Sequence, residues 1–310
     1  MTEPIFKMNI FRGTLMLLTL FFASLLCAQS GSPPLSETSP CPMGKSEVLK
    51  LADYLFGDGD YERAAVEYLR FYLVYPDDSC AQYALFMAAL SKERAGEYTA
   101  ARKLYERLGK KYPALSRIAE YRKALTYFYV GQYDTIIAHP DTADPAMRYL
   151  LGWANLAKND YKRASEIFSS FLDKSDTTVI SGSISFLLQR CRQGLAMHDK
   201  NPYFAALISA LAPGLGRGYA GHWGDALFGF ITVAVPAGLA ASYWKKDRGF
   251  AVVMAVTGVV FYLGDIYGSF VGAKIANKKR KTELFTKTIE QVPHPPGSIY
   301  SKVPCKRSGR

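Results

Sequence analysis

The 310-residue sequence predicts an all-α protein, a helical-repeat solenoid followed by a transmembrane helical hairpin. Two observations carry the prediction. A turn signature ending in tyrosine recurs four times between residues 46 and 200, and two long, almost uncharged runs lie between residues 226 and 273. Charge supplies a third, by exclusion. The formal net charge is +11, yet residues 46–200 hold 21 basic and 20 acidic residues, whereas residues 278–310 hold 9 and 2. The excess sits in a C-terminal tail, so nothing calls for a nucleic-acid-binding domain and no nucleic-acid partner is expected. Four histidines and five cysteines, widely separated, give no metal or haem framework, and no cofactor is implied.

Residues 1–28 read as a signal peptide. Lys7 and Arg12 form a basic start, Thr14 to Ala28 is uncharged and mostly apolar, and Leu26-Cys27-Ala28 offers a small residue at a cleavage position. Leu26 stands where a lipoprotein signal needs a small residue, so cleavage after Ala28 is preferred over lipidation of Cys27. An uncleaved anchor stays open, and either reading exports the chain beyond residue 28. Residues 29–45, rich in Ser and Pro, read as a flexible linker. Export permits disulfides, and Cys41 with Cys80 is the one pair considered, against free thiols.

The repeats occupy residues 46–200. Gly59-Asp60-Tyr61, Gly96-Glu97-Tyr98, Gly131-Gln132-Tyr133 and Asn159-Asp160-Tyr161 place their tyrosines 37, 35 and 28 residues apart. Three residues after the tyrosine comes Ala64, Ala101 or Ala164, and four beyond it Tyr68, Tyr105 or Phe168. Pro76 and Pro113 close the first two units. Each unit reads as a helical hairpin: Gly or Asn ends the first helix, alanine admits a close neighbour, the aromatic fills the next groove, and proline stops the second helix. Ile136 and the early Pro140 predict a stunted second helix in the third unit. Residues 183–198 suit a terminal capping helix. The pattern resembles the tetratricopeptide repeat, including the Tyr-Pro endings Tyr75-Pro76 and Tyr112-Pro113 and the Leu151-Gly152 step. That resemblance implies a curved surface that binds a protein partner.

Residues 202–277 read as a membrane module. Ala226 to Trp244 is 19 residues without a charge, and Phe250 to Ala273 is 24 with Asp265 alone, which predicts two spans. Tyr203 to Gly216 is apolar but too short to cross, and reads as a half-inserted helix. The glycine-rich run Pro213, Gly214, Gly216, Arg217, Tyr219, Gly221 and then Asp225 has no strand before it and no Lys-Ser or Lys-Thr after it, so a tight reversal packed on the spans is expected rather than a phosphate loop. Gly268 and Gly272 offer a matching small face. The Pro-Gly-x-Gly, Tyr-x-Gly and Asp-Ile-Tyr-Gly steps, with Asp265, Tyr267 and Gly268 in the last, resemble a membrane hairpin of uncharacterised bacterial envelope proteins. That family carries no established activity and has Asn where this chain has Asp265. Asp265 admits two readings: an ionisable functional group partnered by Arg217 or His222, or an acceptor near a helix end for amides of the glycine loop, which is preferred.

No nucleophile motif, metalloprotease motif or spaced carboxylate pair is present, which argues against an enzyme. The expected function is a non-enzymatic envelope scaffold anchored in a bacterial inner membrane with periplasmic repeats. The alternative is a membrane component contacting lipid or an insertion or transport machine, with the repeats as docking arm. The basic tail, 278–310, offers a surface for anionic lipid. Topology strains this picture, because two spans put Lys278 to Lys281 outside with the repeats while Lys245, Lys246 and Arg248 face the cytoplasm, against the positive-inside tendency. A third crossing by the Tyr203 segment would restore it.

Overall fold

The four repeat turns are built alike. Gly59, Gly96, Gly131 and Asn159 take φ of 87°, 79°, 74° and 62°. The next amide then reaches the carbonyl five residues back, as from Asp60 to Leu55 and from Asp160 to Asn155, both at 2.9 Å. A residue in the left-handed region closes the first helix and frees the second to reverse. Asp60 and Asp160 also cap their second helices by accepting from the Arg63 and Arg163 amides.

The computed structural model describes residues 44–138, 144–172 and 181–303. The leader, Cys27, Cys41, Cys305 and nearly all of the linker lie outside the described residues. Residues 1–48 and 49–310 are separate units, and the second holds the repeats and the apolar helices. Cys80 is disulfide-bonded, with its partner outside the described residues, whereas Cys191 is free and buried.

The hairpins are α1 (Lys45–Asp58) with α2 (Tyr61–Val74), α3 (Ala81–Arg94) with α4 (Tyr98–Lys111), α5 (Ser116–Tyr129) with α6 (Tyr133–Ile137), and α7 (Pro145–Ala157) with α8 (Tyr161–Ser169). The third hairpin has the expected stunted second helix, five residues long. α9 (Ser181–Leu195) comes next as the terminal helix. Ala64, Ala101, Ala164, Tyr68, Tyr105 and Phe168 are all fully buried, so the alanine and aromatic positions are the packing surface between helices.

The second half comprises α10 (Pro202–Leu211), α11 (Leu215–Ala220), α12 (Trp223–Tyr243) and α13 (Arg248–Gln291). Among the described residues there is no strand. α12 and the first half of α13 are long and apolar enough to cross a membrane, and most of their apolar surface is exposed. α13 departs from expectation. It does not end with the apolar run near Ala273 but continues to Gln291, a 44-residue helix about 66 Å long at 1.5 Å per residue.

The segment expected to be a basic tail is therefore half helix, and it is docked. Leu284, Phe285, Ile289 and Val292 enter the core formed by α5, α7, α8 and α9. The Phe285 ring meets Phe128 and Trp153, each at 6.3 Å between centroids. The reason is periodicity. Leu284, Phe285, Thr288 and Ile289 repeat at helical spacing beneath the surface charge of Lys278 to Lys281, and a charge count does not see an apolar stripe.

Candidate functional site

Two sites rise from this frame, a polar knot in the helical hairpin and a filled groove in the repeats. In the knot, α10 runs against α13. Ser209 and Ser269 share a hydrogen bond of 2.7 Å, and the Tyr262 hydroxyl donates to the Ala210 carbonyl at 2.7 Å. The chain reverses after Pro213 at Gly214, whose φ is 88°. A methyl there would sit 2.1 Å from the Ala226 carbonyl oxygen, so glycine is required twice over. α11 then ends at Gly221, and α12 begins at Trp223.

Asp265 ties the knot. Its Oδ2 accepts from the Gly214 amide at 2.6 Å, and its Oδ1 lies 3.0 Å from Nε of Arg217. The side chain is buried. Two of the expected partners thus converge on it, a glycine-loop amide and Arg217. Two details differ from the sequence reading: Asp265 stands in the middle of α13 rather than near a helix end, and His222 lies 4.0 Å from Asp225, at the start of α12, not against Asp265. Asp225 itself is exposed.

The remaining sequence candidates divide. Gly216 is helical, so its constraint is space and not φ: a methyl would lie 2.1 Å from the Ala205 carbonyl oxygen and 2.6 Å from Ser209 Oγ. Gly268 makes room for the Arg217 guanidinium, with Nη2 2.6 Å from where a Cβ would be. Tyr219 holds the junction to the repeats, its carbonyl accepting from Lys200 Nζ at 2.8 Å and its hydroxyl from the Asn201 amide at 3.2 Å. Gly221, φ 99°, ends α11. Tyr267 does not join the knot, because the helical register turns it outward to 70% exposure. Sequence reading missed Gly229, where a Cβ would fall 2.4 Å from Asp265 Oδ1, and the Ser209–Ser269 pair. The legible signal was a lone glycine and lone serines inside apolar helices. Chemically the knot is internal to the chain: one carboxylate oxygen accepts from the Gly214 amide, and the other is held by the charge of Arg217 without a hydrogen bond. Among the described residues no group of His, Cys, Asp or Glu is arranged to hold a metal.

The junction between the halves is also polar. Asn277 exchanges hydrogen bonds with the Lys200 backbone at 2.9 and 2.8 Å, Arg280 donates to the His198 carbonyl at 3.0 Å, and Lys281 pairs with Asp199 at 2.6 Å.

In the repeats, the first helices of the hairpins carry a buried network. Arg122 on α5 pairs with Glu93 on α3 at 2.9 Å, and the Tyr105 hydroxyl donates to the same carboxylate at 2.8 Å. Burial pushes the Glu93 carboxyl above its usual range, against the pull of Arg122. The far side of the guanidinium reaches the C-terminal segment, donating to the Gly297 carbonyl at 3.1 Å. Beside it the Tyr121 hydroxyl donates to the Pro296 carbonyl at 2.9 Å, and Tyr149 to that of His294 at 2.7 Å. The His294 amide donates to Ser183 Oγ at 3.1 Å. The first helices of the third and fourth hairpins are therefore covered by the chain's own C-terminal segment, which makes a short 3-10 turn at Pro296–Ser298.

A tetratricopeptide-repeat family model matches residues 83–114, from within α3 to just past α4. The all-α solenoid thus carries a tetratricopeptide repeat, a kind of module that typically binds other proteins and performs no catalysis. A search of curated proteins found no match.

Proposed function

We propose that this chain is a non-enzymatic scaffold of the bacterial envelope, whose repeats are exported and bind a protein partner while α12 and the first half of α13 anchor it in the inner membrane. The observation that carries the reading is the exposed apolar surface of those two helices joined to an interaction-type repeat array. Leu227, Phe228, Val256, Val260 and Leu263 are each more than half exposed, a surface that lipid satisfies and water does not. α12, 21 residues and about 31 Å long, matches the hydrocarbon thickness.

The contacts across the junction favour an even number of crossings. Residues before the hairpin, His198 to Lys200, bond to residues after it, Asn277 to Lys281, which supports placing both flanks on one side. Two spans satisfy this and three do not, and the ten-residue α10 fits a half-inserted helix. Two of the four charges that strain the positive-inside count are engaged with His198 and Asp199. Lys278 and Lys279, at the same level, supply the contact for anionic lipid. The leader favours export, and the disulfide at Cys80 suits an oxidising compartment.

Alkaline phosphatase fused after Asp199 should be active, and fused after Lys246 inactive. Inactive phosphatase at Asp199, with a fluorescent cytoplasmic reporter active there, would overturn the orientation. Photo-crosslinking from α2 and α4 in cells should capture a protein partner.

A further inference from the structure

We propose that Arg217 binds the phosphate of a membrane phospholipid and so holds one lipid molecule against α11 and α13. The proposal rests on the reading that α12 and the first half of α13 cross a bilayer. It names a ligand for that membrane module distinct from the diffuse attraction of Lys278 and Lys279 for anionic lipid.

Three observations carry it. First, the Arg217 guanidinium has unused donors. A guanidinium carries five N–H groups and no acceptor. Arg217 pairs its charge with Asp265 but makes no side-chain hydrogen bond among the described residues, and its Nε is buried without a partner. Arg122 is the contrast. Its side chain is fully buried, and it donates to Glu93, to Tyr105 and to two main-chain carbonyls of the tail. The Arg217 side chain is instead 26% exposed, open to what surrounds the helices. Second, Asp265 does not reach those donors. Its Oδ2 already accepts from the Gly214 amide at 2.6 Å, while Arg217 Nη2 lies over Gly268, 2.6 Å from where a Cβ would be and closer to the junction with the repeats. Third, the depth is that of a membrane edge. Counting about 30 Å of hydrocarbon from Phe250 along α13, at about 1.5 Å per residue, reaches Phe270. There the Tyr203 ring packs on Phe270 with centroids 5.3 Å apart, and Lys274 Nζ lies 4.4 Å from the same ring, the aromatic and basic pair expected at that level. Gly268 is two residues inside, so the guanidinium stands about 3 Å below the edge.

Hydrocarbon offers no acceptor, and the carbonyls of α13 at this level are engaged in the ladder of the helix. The anion found at that depth is the phosphate of a phospholipid, which lies just outside the hydrocarbon and within reach of an arginine side chain. Its oxygens match the planar fork of a guanidinium, which donates two parallel hydrogen bonds where lysine offers a point charge. The Arg217–Asp265 pair is formally neutral, so the hold depends on those hydrogen bonds and not on net charge. Zwitterionic and anionic phospholipids are therefore both ligands.

The probe is dioleoyl phosphatidylcholine, added to the full chain in detergent micelles and counted on the protein by native mass spectrometry. Wild type should hold one molecule, and should not hold dioleoylglycerol, which has the same chains and no phosphate. Asp265→Asn combined with Arg217→Gln, with the wild-type helical signal kept, should bind phosphatidylcholine at least about tenfold more weakly, the loss of a charge-assisted hydrogen bond. Inorganic phosphate should not displace the lipid; displacement would make the ligand the free anion and overturn the lipid assignment. Equal retention of the two lipids by wild type, or of phosphatidylcholine by wild type and the folded double variant, would refute the site. If the double variant loses its helical signal, the two-lipid comparison in wild type decides alone. Phosphatase fusions separate this from the spanning reading. An active phosphatase after Lys246 with the lipid still held refutes the spanning and leaves the site, and an inactive one with no lipid held does the reverse.

Discussion

Gly152→Ala and Gly57→Ala are the same chemical change on helix residues, and the packing assigns them opposite signs. Each replacement gains helix propensity, up to about 1 kcal/mol in a helix interior and about half that one residue from the end of α1, where Gly57 sits. A methyl at Gly57 meets nothing within 4 Å, so that gain is kept. A methyl at Gly152 would lie 2.5, 2.8 and 3.0 Å from three atoms of the Phe168 ring. The ring cannot swing away, because it is fully buried with Tyr149 6.0 Å from its centroid. Overpacking of this kind costs about 1 to 3 kcal/mol, which outweighs the propensity gain. Gly152→Ala should therefore lower the melting temperature of the repeats by about 2 to 6 °C, and Gly57→Ala should leave it unchanged or raise it by about 1 to 2 °C. Thermal unfolding of the full chain in detergent, followed by circular dichroism, measures both. A melting temperature at Gly152→Ala equal to or above that of Gly57→Ala would mean that Phe168 does not pack on the Leu151-Gly152 step, and the register of the fourth hairpin would be wrong.

Asp265→Asn keeps an acceptor for the Gly214 amide but removes the countercharge of Arg217, so membrane abundance should fall, and Asp265→Asn combined with Arg217→Gln should recover part of it. Equal abundance of wild type and the single variant, by immunoblot of membranes, would show that the pair is dispensable. Burial pushes the Cys191 thiol up to about 12, so it stays protonated in the folded chain where an unfolded thiol ionises near 9. Its contribution to stability is thus complete below about pH 9 and is lost progressively as the pH rises toward 12; iodoacetamide at pH 8 should label Cys191 only on unfolding, and mass-spectrometric labelling of the native chain would refute the burial.

The solenoid was legible because its signals are local. A glycine or asparagine that must turn, an alanine that must be small and an aromatic that must fill a groove sit close together along the chain, and each does what its spacing predicts. The reversal at Pro213 to Gly221 was legible for the same reason, and Asp265 because a charge in an apolar run demands a partner. The docked C-terminus was not. Tyr121 and Pro296 are 175 residues apart, and the contact is a hydroxyl on a main-chain oxygen, which leaves no mark on residue type. Gly297 looks like any loop glycine until Tyr129 is seen above it.

That contrast explains where this chain spends buried charge. Among the described residues the two ion pairs with deeply buried carboxylates are Arg122–Glu93 and Arg217–Asp265. A buried pair contributes little net stability, because desolvation offsets the attraction, but it penalises any arrangement that separates the partners. Between the repeats, alanine against aromatic sets most of the register, and Arg122–Glu93 adds a charged tie from the third hairpin to the second. Each pair also reaches a non-repeating segment, Arg122 the tail over α5 and Asp265 the glycine loop on α13. Apolar contacts alone would let either segment slide by a residue or a turn at small cost. With Arg122 aimed at the Gly297 carbonyl, and Asp265 at the Gly214 amide and Arg217, a slip leaves a charged group without its partner, so specificity is built where periodicity cannot supply it.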